Sequence, residues 1–506
     1  MRCIECEEIE LARVRDARPT QTLPIPYAAL DGFPAGRRAT DLTRRRLLQW
    51  GVAGFASVYA AKELTWDTVW NAVAEAADAP EETALVLIYL AGGNDGLNVI
   101  LPNGAHPDMQ EHYSAYADAR PSLHRGVGAT AGGRVGSLPL TGPGDSPHLA
   151  FANTVVSGAA NNGDAAAGFD TLYAASNLAV MPAVDALKYN LSHFDNSDIW
   201  FEAGYDLNTK TGWLGRWIDR HGSADNPLQA ISIDTALSKS IRTTVNPVCA
   251  ISSLPMAGFR FNSNGYGGVR DVDLNPTVNE LAEVGASNVY LDRSRATYGL
   301  TTAIQGQLGA QVTTPVTYPN NGTLSTRLRT AAHMLASLPT RIVTIHWGGF
   351  DTHTNQLNNQ DRQLKEFSRA LAAFQADLTA RGIDQRVATL VFSEFGRRVK
   401  ETPDTSEGAN DAGTDHGAGG LMLALGTKVR GGLASEWPGC RVADLVPSNP
   451  GQGNLKVPTD FRSVYRSVLA EWLGDDDPDG LIGGGAIGTL VRGDGQYATE
   501  NKLFQP

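Results

Sequence analysis

Ala84 to Ala91 is an unbroken apolar run of strand length. A strand buried on both faces of a parallel sheet loses the alternation of a half-exposed one, and this run has that form. Leu178 to Met181, Arg341 to His346 and Val387 to Phe392 predict further central strands. Between the last two, Leu357, Leu364, Phe367, Leu371, Phe374 and Leu378 are spaced 7, 3, 4, 3 and 4 apart. That spacing predicts one apolar face of a long helix over 357–381. Strand, helix and strand make a βαβ unit with the right-handed crossover such units adopt. Trp213, Leu214, Trp217 and Ile218 predict an amphipathic helix over 212–221, and a last helix spans 459–473. Residues 102–168 are rich in Gly, Asn, Asp and Ser and read as long surface loops. Short strands and turns over 227–319 suggest an inserted cap. The expected fold is α/β, with a mostly parallel central sheet, helices on both faces and loop-rich insertions.

Composition sharpens this picture. A chain of 506 residues with 42% hydrophobic content can bury a large core, and with 54 Gly and 26 Pro it has many turns. Length alone allows about three domains, but α/β enzymes often extend as one unit, so 80–506 is read as a single domain. A net charge of −12 argues against a nucleic-acid partner, which needs a basic face.

The first 79 residues read as a leader. Thr43-Arg44-Arg45-Arg46-Leu47-Leu48 precedes an apolar, small-residue stretch over 51–61, then Ala-rich sequence over 74–79. A basic pair followed by a modest apolar segment is the twin-arginine export pattern. The apolar stretch is shorter than the ~20 residues a stable membrane span needs. The expected partner is therefore the twin-arginine export machinery, and the expected location is periplasmic or extracellular. Cleavage is expected near Ala76 or Ala79. Cys3 and Cys6 lie in the leader; Cys249 and Cys440 either form one disulfide or stay as buried thiols.

Candidate chemistry gathers at the strand ends. Asn94-Asp95 follows the first strand, Asp351-Thr352-His353 follows the run ending at His346, Glu394 follows Phe392, and Asp415-His416 comes shortly after. Open α/β sheets bind ligands just outside the carboxyl ends of their strands. Carboxylates and imidazoles together suit a divalent cation such as zinc, manganese or calcium. Asp351, His353 and His416 are the expected ligands of one metal, a three-ligand set with an open position. Asp95 and Glu394 are the expected ligands of a second, with Asp415 bridging or orienting. Asn94 is a candidate donor to a substrate oxygen, and Arg397 a candidate to neutralise its charge. Ser192 is the candidate nucleophile, or else a helix cap; His193 beside it is a ligand or general acid. Asp475-Asp476-Asp477 lacks the spaced ligands of a calcium loop and reads as a solvated turn. Trp200, Trp213 and Trp217 read as packing residues rather than sugar platforms.

Leu-Ala-Gly-Gly-Asn-Asp-Gly-Leu-Asn (90–98), Ser-His-Phe-Asp (192–195), Gly-Trp-Leu-Gly-Arg (212–216), Phe-Asp-Thr-His (350–353), Ser-Glu-Phe-Gly-Arg (393–397) and Thr-Asp-His-Gly (414–417) occur in this order. With the twin-arginine leader, they resemble the bacterial exported proteins grouped as domain of unknown function 1501. The resemblance implies the alkaline phosphatase-like fold of phosphatases, sulfatases and phosphoglycerate mutases. It also implies metal roles for Asp95, Asp351, His353 and His416. The chain departs from the wider fold at Glu394-Phe395-Gly396, where Asp-His-Gly is common, and it has no Cys-x-Pro-Ser-Arg segment of the sulfatase type. The expected function is metal-dependent hydrolysis of phosphate or sulfate esters, on a small anionic ester or an envelope polymer. The alternative is a non-catalytic, envelope-associated binding or assembly protein on a decayed hydrolase fold.

Overall fold

The computed structural model describes residues 57–59, 82–131, 134–140, 147–157, 166–206, 209–224, 226–251, 314–319, 322–402, 412–447, 453–483 and 502–505. All lie in one compact unit, 54–506. The strands are β1 (Ser57–Tyr59), β2 (Ala84–Ala91), β3 (Ile100–Pro102), β4 (Gly128–Ala131), β5 (Arg134–Pro139), β6 (Leu149–Ala152), β7 (Leu178–Asp185) and β8 (Ala230–Ser232). There follow β9 (Val248–Ala250), β10 (Ile342–Gly348), β11 (Val387–Phe392), β12 (Gly396–Glu401), β13 (Thr414–Gly417), β14 (Gly420–Leu425), β15 (Gly432–Leu433) and β16 (Thr459–Asp460). The α-helices are α1 (Gln110–Ala119), α2 (Phe169–Ala174), α3 (His193–Glu202), α4 (Trp213–His221), α5 (Thr323–Ser337), α6 (Gln356–Ala380) and α7 (Phe461–Ser467).

The central sheet runs β1-β9-β8-β10-β2-β11-β14-β7-β15, with β16 also pairing β7. From β9 through β8, β10 and β2 to β11 every pairing is parallel, while β1 and β14 run against their neighbours. The fold class expected from the sequence is therefore the one observed. β2, at the centre, shows why its sequence is uniformly apolar. Ala84, Val86, Ile88 and Leu90 enter one core with α5 and α6, including Leu328, Leu364 and Phe367. Leu85, Leu87 and Tyr89 enter another with α3, α4 and α7, including Trp200, Trp217 and Phe461. Trp213 stacks on Tyr465 at 4.1 Å between ring centres, and Trp200, Trp213 and Trp217 are all fully buried packing residues.

Parallel pairing has a geometric consequence. The carboxyl ends of β2, β10 and β11 lie along one edge of the sheet, and β14 starts there because it runs the other way. β7, antiparallel to β14, ends at the same edge. The five chain segments holding Asp95, Asp351, Glu394, His416 and His193 thus meet along a single rim.

The structure corrects some expectations and bears on others. Residues 227–251, expected to begin a cap, supply β8 and β9 of the central sheet: β8 pairs in parallel with β10, and β9 in parallel with β8; of the remaining expected cap, 252–313 lies outside the described residues. Residues 102–168 contain α1 and, with β3 ending at their start, complete an antiparallel sheet, β3-β6-β5-β4, whose short strands give no readable period. Ser57–Tyr59, inside the expected leader, pairs antiparallel with β9; Arg44, Arg45, Cys3 and Cys6 lie outside the described residues. Asp475 is buried, where it accepts from Arg220 at 2.8 Å and pairs with His221 at 2.6 Å, so that turn is only partly solvated. Cys249 and Cys440 are both free and buried. No helix among the described residues is long and apolar enough to cross a membrane.

Candidate metal centre

After β2 the chain turns through Gly92 (φ +120°) and Gly93 (φ +76°). A Cβ on Gly92 would lie 2.3 Å from the Asp351 nitrogen, and one on Gly93 2.4 Å from the Phe395 ring. Only glycine permits both the left-handed backbone and that approach, which presses the three loops together. The freed N–H groups point at one carboxylate: Gly92 donates to Glu394 Oε1 at 2.9 Å, and Gly93 to Oε2 at 3.2 Å.

Three ligand-type atoms converge at the rim. His353 Nε2 lies 3.0 Å from His416 Nε2 and 3.0 Å from Asp351 Oδ1, and His416 Nε2 lies 3.1 Å from the same oxygen. His193 Nε2 stands 3.5 Å from the other oxygen, Oδ2. The opposite nitrogen of every one of these rings is committed. His193 Nδ1 meets Glu394 Oε1 at 2.7 Å, His353 Nδ1 meets Asp415 Oδ1 at 3.2 Å, and His416 Nδ1 meets the Leu191 carbonyl at 3.0 Å. Carboxylates and carbonyls only accept, so each Nδ1 carries the hydrogen and each Nε2 of a neutral ring presents a lone pair.

Three lone-pair atoms about 3 Å apart repel one another unless positive charge lies among them. Tetrahedral ligands 2.0–2.1 Å from a zinc ion would stand roughly 3.3 Å apart. Imidazoles anchored through Nδ1 to carboxylates or carbonyls are the usual support of such ligands. The residues therefore fit a divalent cation held by Asp351, His353 and His416. The Asp351 side chain is 42% exposed, so an ion can enter from solvent. His193 also lies close enough to share an ion with Asp351 and His416, while a separate grouping, His106, Asp108 and His148, fails the same test. There His106 Nδ1 accepts from the Asp108 backbone at 3.3 Å, which puts the hydrogen of the neutral ring on Nε2.

The scaffold behind the centre is specific. Leu191 adopts φ +61°, a costly conformation for a leucine, and its carbonyl is the one that holds His416. Phe395 packs its ring against His416 at 4.4 Å and His193 at 4.9 Å. Phe395 thus forms a wall for two of the imidazoles.

Electrostatics follow from these contacts. Burial would raise Asp351, but His193, His353 and His416, together with the Arg397 charge, hold it well below the usual carboxylate range. Burial likewise opposes ionisation of Glu394, yet His193 and the Gly92 amide hold its pKa below the ordinary value. Burial disfavours a charged His193, while its bonds to Asp351 and Glu394 prevail and push it up to about 9. Burial holds His416 below the ordinary imidazole value, with Asp351 opposing and Arg397 assisting. In the metal-free protein His193 takes the proton and His416 keeps its lone pair.

The structure thus brings Asp351, His353, His416, His193 and Asp415 together, with Asp415 orienting His353. It does not assemble the expected second pair. Asp95 is bound by Arg120 at 2.6 and 3.0 Å and by Gln356 at 2.5 Å, so its charge is already matched. Both Glu394 oxygens are filled by the glycine amides and His193. Arg397 is fully engaged with Asp351 Oδ1 at 2.7 Å and with the carbonyls of Gly93 at 2.7 Å and Thr414 at 2.6 Å, so it positions Asp351 rather than facing a substrate. Asn94 is buried, and its Oδ1 accepts from Gln360 at 3.2 Å. Ser192 is the N-cap of α3, its hydroxyl accepting from Asp195 at 3.5 Å. Arg120, Gln356, Gln360 and Arg398, which donates to Asp415 at 3.2 Å, were not anticipated. The helical period did hold a signal for two of them: Gln356 and Gln360 continue the stripe of Leu364 at steps of four.

Asp185, at the end of β7, accepts from Ala186 at 2.7 Å and Gly419 at 2.9 Å. Burial raises its pKa to about 7, with the Ala186, Gly419 and Gly396 amides acting in the opposite direction. A carboxyl whose folded pKa exceeds its unfolded one binds more protons when folded. Stability should therefore fall as pH rises from about 4 to about 7 and then level off. The full difference is on the order of 4 kcal/mol. Urea unfolding at pH 5 and pH 8 should show the lower stability at pH 8, with Asp185→Asn flattening the difference. An unchanged slope in that variant would contradict the assignment.

Comparison with solved structures finds the alkaline phosphatase of the Antarctic bacterium TAB5 at 11% identity and a TM-score of 0.26, covering 70% of this chain and 94% of that one. A histidine-to-glutamate variant of that enzyme, with magnesium bound in its M3 site, matches at 9% identity, with the same TM-score and coverage. At that TM-score the likeness carries no argument, and the fold described above rests on strand order and register. No curated protein matches. Residues 297–445 match the family described as Protein of unknown function (DUF1501), and this segment carries Asp351, His353, Glu394, Asp415 and His416.

Proposed function

We propose that this chain is a metal-dependent hydrolase of phosphate or sulfate esters. The observation that carries this reading is the Asp351–His353–His416 triangle, with every neighbouring imidazole anchored through Nδ1. A divalent ion held there, whether zinc, manganese or calcium, would supply Lewis acidity toward an ester oxygen. Two imidazoles among three ligands favour zinc or manganese over calcium. The protein's own residues do the rest. Arg397 and Asp415 fix Asp351 and His353. Glu394 holds His193 with its Nε2 toward the centre, where it can move a proton. In the reaction a water oxygen bonds to phosphorus or sulfur, and the ester bond breaks with its electron pair on the departing oxygen. The proton released by water ends on that oxygen, and His193 is placed to carry it. Ser192, occupied as a helix cap, is not required.

Elemental analysis of protein purified without chelator should find about one equivalent of a transition metal. Removal by a chelator should abolish turnover of aryl phosphate or sulfate esters, and added zinc or manganese should restore it. Metal-free protein with chelator-resistant turnover would overturn the proposal. One observation favours a second reading, a non-catalytic binding protein on a decayed hydrolase fold: Asp95 and Glu394, expected to hold a second ion, are consumed by Arg120 and His193. Metal binding without turnover on either ester class would decide for it.

Export by the twin-arginine route is supported by the order of Arg44, Arg45 and the apolar stretch that follows. Changing both arginines to lysine should leave the protein in the cytoplasmic fraction. Undiminished periplasmic yield would refute this route.

A further inference from the structure

A cavity of about 450 Å³ opens beside the candidate metal centre, sharing Gly92, His193 and Glu394 with it. Its volume lies within the roughly 300–1,000 Å³ of small-molecule sites. Gly348 and Gly349, which lead into Asp351, complete the shared end. Away from the centre the walls are chiefly carbon: Leu87, Tyr89, Phe194, Phe201, Leu237 and Ile345. Tyr89 and Phe201 meet edge to face at 4.9 Å, forming an aromatic corner.

Most polar groups of the cavity already have partners, the buried Ser240 hydroxyl being an exception. Ser232 and Thr344 share a hydrogen bond of 2.7 Å, and Ser232 also accepts from the Ser238 amide at 2.7 Å. Lys239 is paired with Asp198, and Asp234 lies 3.4 Å from Arg327 and 3.6 Å from His346. A second anionic group on a ligand would meet no uncommitted cation among these residues, and a polyol would meet few open hydrogen-bond partners. An apolar ring or chain would lose little by leaving water and would gain carbon contact on several sides.

We propose that this cavity receives the organic group of a monoester, and that it selects aryl or alkyl groups over polyols and multiply charged ones. The inference rests on the hydrolase reading and names its substrate class. With the anionic head at the Asp351–His353–His416 centre, the ester oxygen lies at the cavity mouth beside His193. The bond that breaks is then the one between head and organic group, and the oxygen leaving with the aryl or alkyl group receives the proton.

The test pairs turnover with binding. Zinc-loaded protein is assayed on 1-naphthyl phosphate and glycerol 2-phosphate, and on 1-naphthyl sulfate. Binding of 1-naphthylphosphonate, which cannot be hydrolysed, is measured by calorimetry. The naphthyl phosphate should exceed the glycerol ester in kcat/KM by at least about tenfold. Ala236→Trp, at an exposed position on the cavity wall, should remove most of that preference and weaken the phosphonate by a similar factor, with metal content unchanged. Turnover without preference, or an indifferent Ala236→Trp variant, would overturn the pocket assignment and leave the hydrolase reading standing. Phosphonate binding that Ala236→Trp weakens, with no turnover of any ester, would support the pocket while overturning the hydrolase reading. Neither binding nor turnover would overturn both.

Discussion

Asp351→Ala should release the metal and reduce ester hydrolysis to background. Its Oδ1 is the shared vertex of the contacts to His353, His416 and Arg397, and Oδ2 faces His193. Removing the carboxylate takes away the anionic ligand and leaves a buried guanidinium beside three imidazoles. Positive charge then repels an incoming cation instead of receiving it. Asp415→Asn supplies the scale, because Asp415 acts only through His353. Loss of such a supporting partner usually costs roughly 10- to 100-fold in metal affinity, and Asp351→Ala should exceed that range. Calorimetric zinc titration of both variants, with circular dichroism to confirm folding, measures the difference. Equal and small losses would mean that the triangle is a polar cluster and not a metal centre.

Arg120→Ala is expected to be the most damaging single change to stability away from the centre. Arg120 is fully buried. It binds both oxygens of Asp95 and donates to the Val399 carbonyl at 2.7 Å and the Arg398 carbonyl at 2.9 Å. It thereby joins α1, the turn after β2, and β12. Truncation would strand a buried carboxylate and two carbonyls, a loss of about 3–5 kcal/mol for a broken buried ion pair. Lysine should rescue little, because a single ammonium cannot reproduce the planar fork. Urea unfolding of Arg120→Ala, Asp95→Asn and the double variant measures the coupling. If the double variant is no better than Arg120→Ala alone, the stranded charge is not the source of the loss.

The readable parts of this protein were those encoded by neighbours in sequence. β2, β10 and β11 are apolar because both their faces are covered, and α6 shows its buried face at helical spacing. Asp351, His353 and His416 could be anticipated because parallel strands put their following loops on one rim. What escaped was the choice of partner. Asp95 and Glu394 are as acidic and as well placed in sequence as Asp351, but Arg120 and the Gly92–Gly93 amides claim them first. Arg120 lies in a stretch without period, and nothing local links it to Asp95. The place of β8 and β9 in the central sheet escaped for a related reason: a three-residue run does not specify which strand it pairs with.

A centre of one carboxylate and two imidazoles has little power to choose among transition-metal ions. Affinity among divalent metals rises along a fixed series for such donors, and the supply at the moment of binding decides which one is held. The compartment in which the chain folds therefore selects the metal. If the chain is exported already folded, as proposed, that selection is made in the cytoplasm, before the chain meets the ions of its destination.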